Sequence, residues 1–482
     1  MKKIIFNLKH SISIITVILM MGVGCVSLEE KPLDFPSPDN FYGTIGQIEA
    51  SLTGSMAALY SQWDNYSYGW GDFQDDHIYG ADLVLSSTHG NWCWNAHYRA
   101  ISILNSVIAA LNEDKLGPTV SQDDKDLLMG QAKFLRGFNY FFLVRLYGDV
   151  PIITEETDVV AGEIVRDPTE QVYTQILSDL GYAEDNLPDA WDSDKAGRPS
   201  KWAAKTLLAK VHITMATAPL NQTSHYQNAR DYAKDVIDNG PFDLVEDVYK
   251  VFALENKLGP EFMFSFNSLE DDIATPPQIW LPGSMAFGWG DFCLEKDWAA
   301  DHYPEGPRKD AYMILYDWDS TSYLDWDGTH TPHLRKFVYN SREVMETLNS
   351  WPNIPLIRFA DALLLFAEAD NAVSGGPTQD AVDAVNRIID RAGDVTPEHP
   401  RVTTSMSQAD FDAAVIEERS LELFFEYDRW FDLVRKRILC EKVRPSAQVN
   451  CDENDYLWPI PETDLRLNPK LTQNPGYPNP ND

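Results

Sequence analysis

Two stretches concentrate the side chains best suited to hold a ligand. Residues 66–92 interleave Tyr66, Tyr68, Trp70 and Trp92 with Asp72, Gln74 and Asn91, and residues 278–303 carry Trp280, Trp289 and Trp298 beside Asp291. Flat rings stack on C–H faces, while amides and carboxylates beside them bond hydroxyl groups, so such sets suit neutral polyhydroxyl ligands. Trp70, Trp92, Trp280, Trp289, Asp72 and Asn91 are therefore the candidate ligand-binding residues. Their competing role is to pack the loops that carry them.

Reactive chemistry finds fewer footholds. The sequence contains no Gly-x-Ser-x-Gly, no Gly-x-x-x-x-Gly-Lys and no His-Glu-x-x-His, the patterns that mark a serine nucleophile, a phosphate cradle and a zinc protease. Arg136, Arg358, Asp361, Glu368, Glu422, Arg429 and Asp432 punctuate apolar helical runs. Charges of opposite sign in such settings pair with one another and fix helix register, so no catalytic residue is assigned. The acid pairs Asp317/Asp319 and Asp325/Asp327 could attract calcium, yet neither reproduces a twelve-residue EF-hand loop, and a solvated acidic loop is the simpler reading. No Cys-x-x-Cys or Cys/His cluster is present to hold zinc. Cys440 and Cys451 enclose a short loop and could form a disulfide; the alternative is two buried thiols.

The elements that position these residues read as mostly helical. Apolar residues recur at steps of three and four over residues 41–63, 92–111, 124–147, 169–185, 201–216, 224–239, 354–373, 380–392 and 407–439. Residues 134–147 carry the widest apolar face, which predicts a helix buried on several sides. Successive helix pairs of roughly 34 residues suggest helix-hairpin repeats. Between them, residues 240–351 lose helical rhythm but retain six tryptophans, a composition that argues for an ordered, functional insertion. Residues 261–266 read as a short strand inside it.

Residues 1–24 form a processing segment: Lys2, Lys3 and Lys9, an apolar stretch at 11–21, and Gly22-Val23-Gly24 before Cys25. This arrangement resembles a bacterial lipoprotein signal, with Cys25 as the lipidated first residue. Residues 25–40 are proline-rich and acidic, as a tether would be, and 41–482 read as one domain. Removing residues 1–24 deletes three lysines and no acid, which takes the net charge from −35 to −38. So negative a field excludes nucleic acid and disfavours polyanionic ligands.

Several motifs together resemble the SusD/RagB family of outer-membrane nutrient-binding lipoproteins of Bacteroidota. They are Phe134-Leu135-Arg136 with Tyr140 and Tyr147-Gly148-Asp149-Val150-Pro151; Leu356 through Asp361 with Glu368; Glu418-Arg419 with Arg429-Trp430-Phe431-Asp432-Leu433; and Leu457-Trp458-Pro459-Ile460-Pro461. The chain departs from the family at Tyr427-Asp428, where a glycine-containing pair is common, and at Phe359, where tyrosine is usual. The resemblance covers residues 40–482 and implies a mainly α fold, with four tetratricopeptide-type helix pairs carrying an irregular, ligand-bearing portion. It implies a cell-surface protein, lipid-anchored in the outer membrane, that captures an oligo- or polysaccharide and passes it to a SusC-like TonB-dependent transporter. It implies no enzyme and no cofactor.

Within that family Trp94, Trp202, Trp430 and Trp458 are expected in the core, and Arg136 and Arg145 are expected to anchor helix packing. Two other readings remain: a peptide-binding helical-repeat scaffold at the outer membrane, and a glycoside hydrolase built on a carboxylate pair.

Overall fold

The computed structural model describes residues 41–66, 76–77, 87–160, 162–192, 195–268, 281–285, 288, 294–326, 331–338, 352–443 and 451–481. Its helices are α1 (Ile45–Tyr66), α2 (Ser87–Asn112), α3 (Gln122–Tyr147), α4 (Thr169–Asn186), α5 (Lys201–Ala216), α6 (His225–Asn239), α7 (Pro307–Tyr312), α8 (Phe359–Ser374), α9 (Gln379–Ala392), α10 (Gln408–Glu422), α11 (Arg429–Arg435), α12 (Leu439–Lys442) and α13 (Glu462–Leu467). Each of α1 to α5 packs on the next, α6 packs on α8, and α8 packs on both α9 and α10. Helices α6 and α8 are thus neighbours in space, although the irregular segment separates them in sequence. That segment is an insertion into an otherwise continuous helical array.

Helix α3 lies at the centre of the array, as its wide apolar face predicts. Ser121 caps it by accepting the Asp124 N–H at 3.1 Å, and Asp123 and Asp124 sit at its positive end with Arg145 at the other. From Phe134 to Tyr147 every residue is buried. The helix ends at Gly148, whose φ of +72° is open to glycine at little cost.

Three expected boundaries are corrected. Residues 354–358 are a strand, β4 (Ile354–Arg358), antiparallel to β1 (Phe262–Phe266), and the helix begins only at Phe359. Two isoleucines and Pro355 favour the extended backbone that β1 offers to pair. The single long helix expected over 407–439 is broken into α10, α11 and α12. Phe425 and Tyr427 adopt φ of +57° and +67°, so the chain turns through a left-handed stretch that no helix can contain. Tyr427 is the position at which the family commonly has a glycine-containing pair. Finally, α2 starts at Ser87 and not at Trp92, so Asn91 lies within the helix and not on the loop before it.

Two further short strands, β2 (Met313–Ile314) and β3 (His333–Leu334), pair within the insertion. The sulfurs of Cys440 and Cys451 are bonded across eleven positions. Among the described residues no helix is long and apolar enough to cross a membrane.

Candidate functional site

The charged side chains inside the helices are spent on one another. Arg136 on α3 grips Asp179 of α4 through Nε and Nη2 at 2.7 and 2.8 Å and also bonds Glu155 and Asn105. Arg419 bridges Asp361 and Asp432, both at 2.7 Å, and Lys210 reaches Asp361 and Asp428 at the same distance. Burial opposes ionisation of Asp361, but Lys210 and Arg419 outweigh it and bring the carboxyl down to about 2. Arg435 takes Glu368 and Asp432.

A second network centres on Glu422. Its carboxylate accepts from Arg391 at 2.6 Å, Arg358 at 3.0 Å, Tyr312 at 3.0 Å and Arg308 at 3.2 Å. These buried groups are paired with one another, and the placement fits the structural role expected of them.

The two aromatic stretches meet. His77, from the first, is fully buried; its carbonyl accepts the Glu295 N–H at 2.6 Å and its ring lies 4.1 Å from that of Trp298 in the second. Its Nε2 also pairs with Ser420 Oγ at 2.7 Å, and burial holds the imidazole neutral, down to about 3. Beside it Asp76 receives both Nε and Nη2 of Arg429 at 2.7 Å. Asp76 and His77 are therefore pinned to α10 and α11. Trp298 is likewise buried, against Tyr303 and Phe424 at 5.2 and 5.4 Å, and belongs to the core. Residue types alone could not single out Asp76, His77 and Glu295 as the tie. The available signal was Arg429, a charge inside an apolar helix that requires a partner.

Of the candidate ligand-binding residues, the structure describes two. Trp92 is 37% exposed. Asn91, half-buried, accepts at Oδ1 from Asn95 at 2.6 Å and from Thr463 Oγ1 of α13 at 3.4 Å. Asn95 and Thr463 are polar neighbours that the sequence reading missed, although the four-residue step from Asn91 to Asn95 places both on one helix face. Trp70, Asp72, Trp280, Trp289 and Cys25 lie outside the described residues.

Trp94, Trp202, Trp430 and Trp458 are buried. Asp317, considered for calcium, accepts the N–H groups of Asp319 and Thr321 at 3.0 and 2.9 Å, the bonding of a polar turn. Among the described residues no group of three or more His, Cys, Asp or Glu is arranged to hold a metal ion.

Residues 316–477 match the model of the SusD family, and residues 39–213 match one described as starch-binding and associating with the outer membrane. The chain belongs to the SusD/RagB family. It is 28% identical to SusD-like protein P2 of Formosa agariphila, with 97% of this chain and 100% of that protein covered. A SusD superfamily protein from Parabacteroides distasonis superimposes with a TM-score of 0.76 at 23% identity, over 89% of this chain and 99% of that one. A laminarin-binding SusD-like protein does so with a TM-score of 0.72 at 22% identity, over 90% and 100%.

Proposed function

We propose that the protein is a cell-surface glycan-binding lipoprotein, anchored in the outer membrane through Cys25, which captures a neutral oligo- or polysaccharide and delivers it to a TonB-dependent transporter without cleaving it. The observation that carries this reading is the tie between the two aromatic stretches at His77, Glu295 and Trp298. Residues some two hundred positions apart are held together at His77, Glu295 and Trp298, which supports one ligand being met by residues of both stretches. Solved relatives that span the length of this chain include one described as binding laminarin, which supports a saccharide as the ligand class. The mutual pairing of the buried charges supports the absence of a catalytic step.

The test is calorimetry of the full chain in detergent against laminarin and a panel of other neutral polysaccharides. One or more should bind, with no reducing ends released. Alanine at Trp70, Trp92 and Trp280 should each weaken binding, by about 1–3 kcal/mol for a ring that stacks on the ligand, with the melting temperature unchanged. Normal binding by all three variants would remove these residues from the site. Accumulating reducing ends would replace the binding reading with the hydrolase one.

A further inference from the structure

Behind the Gly148-Asp149 turn, on the helical array and apart from the tied aromatic stretches, lies a cavity of about 400 Å³. It is formed where the end of α3, the start of α4, α11 and the C-terminal tail come together. Its rim residues Asp149, Pro219, Arg437 and Glu453 are exposed, while Arg145, Tyr173 and Phe431 below them are buried. The volume is that of a small-ligand site and far exceeds the roughly 30 Å³ share of a single water.

The floor carries a positive charge without a close counter-ion. Arg145 is 8% exposed, and its guanidinium is stacked 3.6 Å from the Phe431 ring centroid and 3.9 Å from that of Phe141. Its Nε donates to the Phe141 carbonyl at 3.1 Å, but among the described residues neither Nη group has a hydrogen-bond acceptor. The one carboxylate within ion-pairing range, Asp428, is 4.0 Å away and already holds Lys210 at 2.7 Å.

Arg166, also lining the cavity, donates to three carbonyls and to Asn474 Oδ1, and among the described residues it makes no ion pair. Both arginines are pushed down by burial, Arg145 to about 10, and both are charged at neutral pH. In a chain of net charge −35 this is a local reversal of sign. A buried cation gains most from an anion that brings its own hydrogen-bond acceptors.

We propose that this cavity binds a small organic carboxylate, its charged end meeting the Nη groups of Arg145 and its apolar ring or chain lying against Phe431, Val434 and Tyr456. The site is independent of the glycan reading. It would let the protein carry or sense an acid while its main ligand is neutral.

The experiment is titration of the full chain in detergent with benzoate and, as the uncharged counterpart of the same shape, benzamide. Benzoate should bind saturably and benzamide about tenfold more weakly or not at all. Val434→Trp fills the cavity from its half-buried wall without touching either arginine; it should keep the wild-type melting temperature and lose benzoate binding. Arg145→Met should lose binding too, and the Val434 variant decides the matter if that protein fails to fold. Equal binding of benzoate and benzamide, no saturable binding of benzoate, or full benzoate binding by Val434→Trp would each overturn the proposal. None of these outcomes depends on whether a polysaccharide binds elsewhere.

Discussion

His399 sits where a single proton completes a charge balance. Around Glu422, the cations Arg308, Lys336, Arg358 and Arg391 face the carboxylates Glu261, Asp394, Glu418, Glu422 and Glu426. A protonated His399, with Nε2 3.0 Å from Glu418 and Nδ1 3.5 Å from Asp394, is the cation that evens the count. Burial works against that charge, but the bonds to Asp394 and Glu418 outweigh burial and the opposing Arg308, raising the imidazole to about 9. Because the folded value lies above the ordinary one near 6.5, the stabilisation is complete below about pH 6.5 and is lost as the pH rises through about 9. Its size is up to about 3 kcal/mol. Urea unfolding of wild type and His399→Gln should therefore differ most near pH 6 and converge by about pH 9.5. A difference that stays constant with pH would mean His399 is neutral in the folded protein.

At the scale of elements, the contact between α3 and α4 is set by a missing side chain. A Cβ on Gly137 would approach Leu180 Cγ to 3.0 Å, and one position earlier on each helix the ion pair from Arg136 to Asp179 fixes the register. Gly137→Val should overpack this seam and cost about 1–3 kcal/mol, read as a drop in the denaturation midpoint at unchanged slope. A neutral result would show that the two helices can separate freely.

The existence of α3 was legible because its apolar period and its stop at Gly148 agree with one another. The strand at 354–358 was not, because an apolar run of that length has no period of its own and took its form from β1. The turn after α10 was hidden for a different reason: Phe425 and Tyr427 hold positive φ without the glycine that would announce it. The candidate site was legible as residue types and only partly as placement. Trp92 is partly exposed, whereas His77 and Trp298, drawn from the same aromatic stretches, are buried. Which ring faces inward depends on partners such as Ser420 and Phe424 that are distant in sequence.

At the scale of the whole molecule, the insertion between α6 and α8 is not an appendage. It supplies Glu261, Arg308 and Lys336 to the network around Glu422, and Lys336 donates further to the carbonyls of Glu422 and Phe424 at 2.7 and 3.0 Å. It also supplies β1 as the partner of β4, and Trp298 packs under Phe424. Opening the insertion alone would take Glu261 from Arg358 and Arg391 and Lys336 from Glu426, leaving the buried charges of the array unbalanced at a cost of several kcal/mol. Opening the helical array alone would strand Arg308 and Lys336 in the same way. The array and the insertion should therefore unfold together, although a chain of this length would ordinarily be free to unfold in stages. In guanidinium titration, far-ultraviolet circular dichroism, which reads the array, and tryptophan fluorescence, which is weighted by the insertion, should share one midpoint. Separate midpoints, with fluorescence changing first, would mean that the ligand-bearing portion opens while the array stands, and that the buried network is not the joint between them.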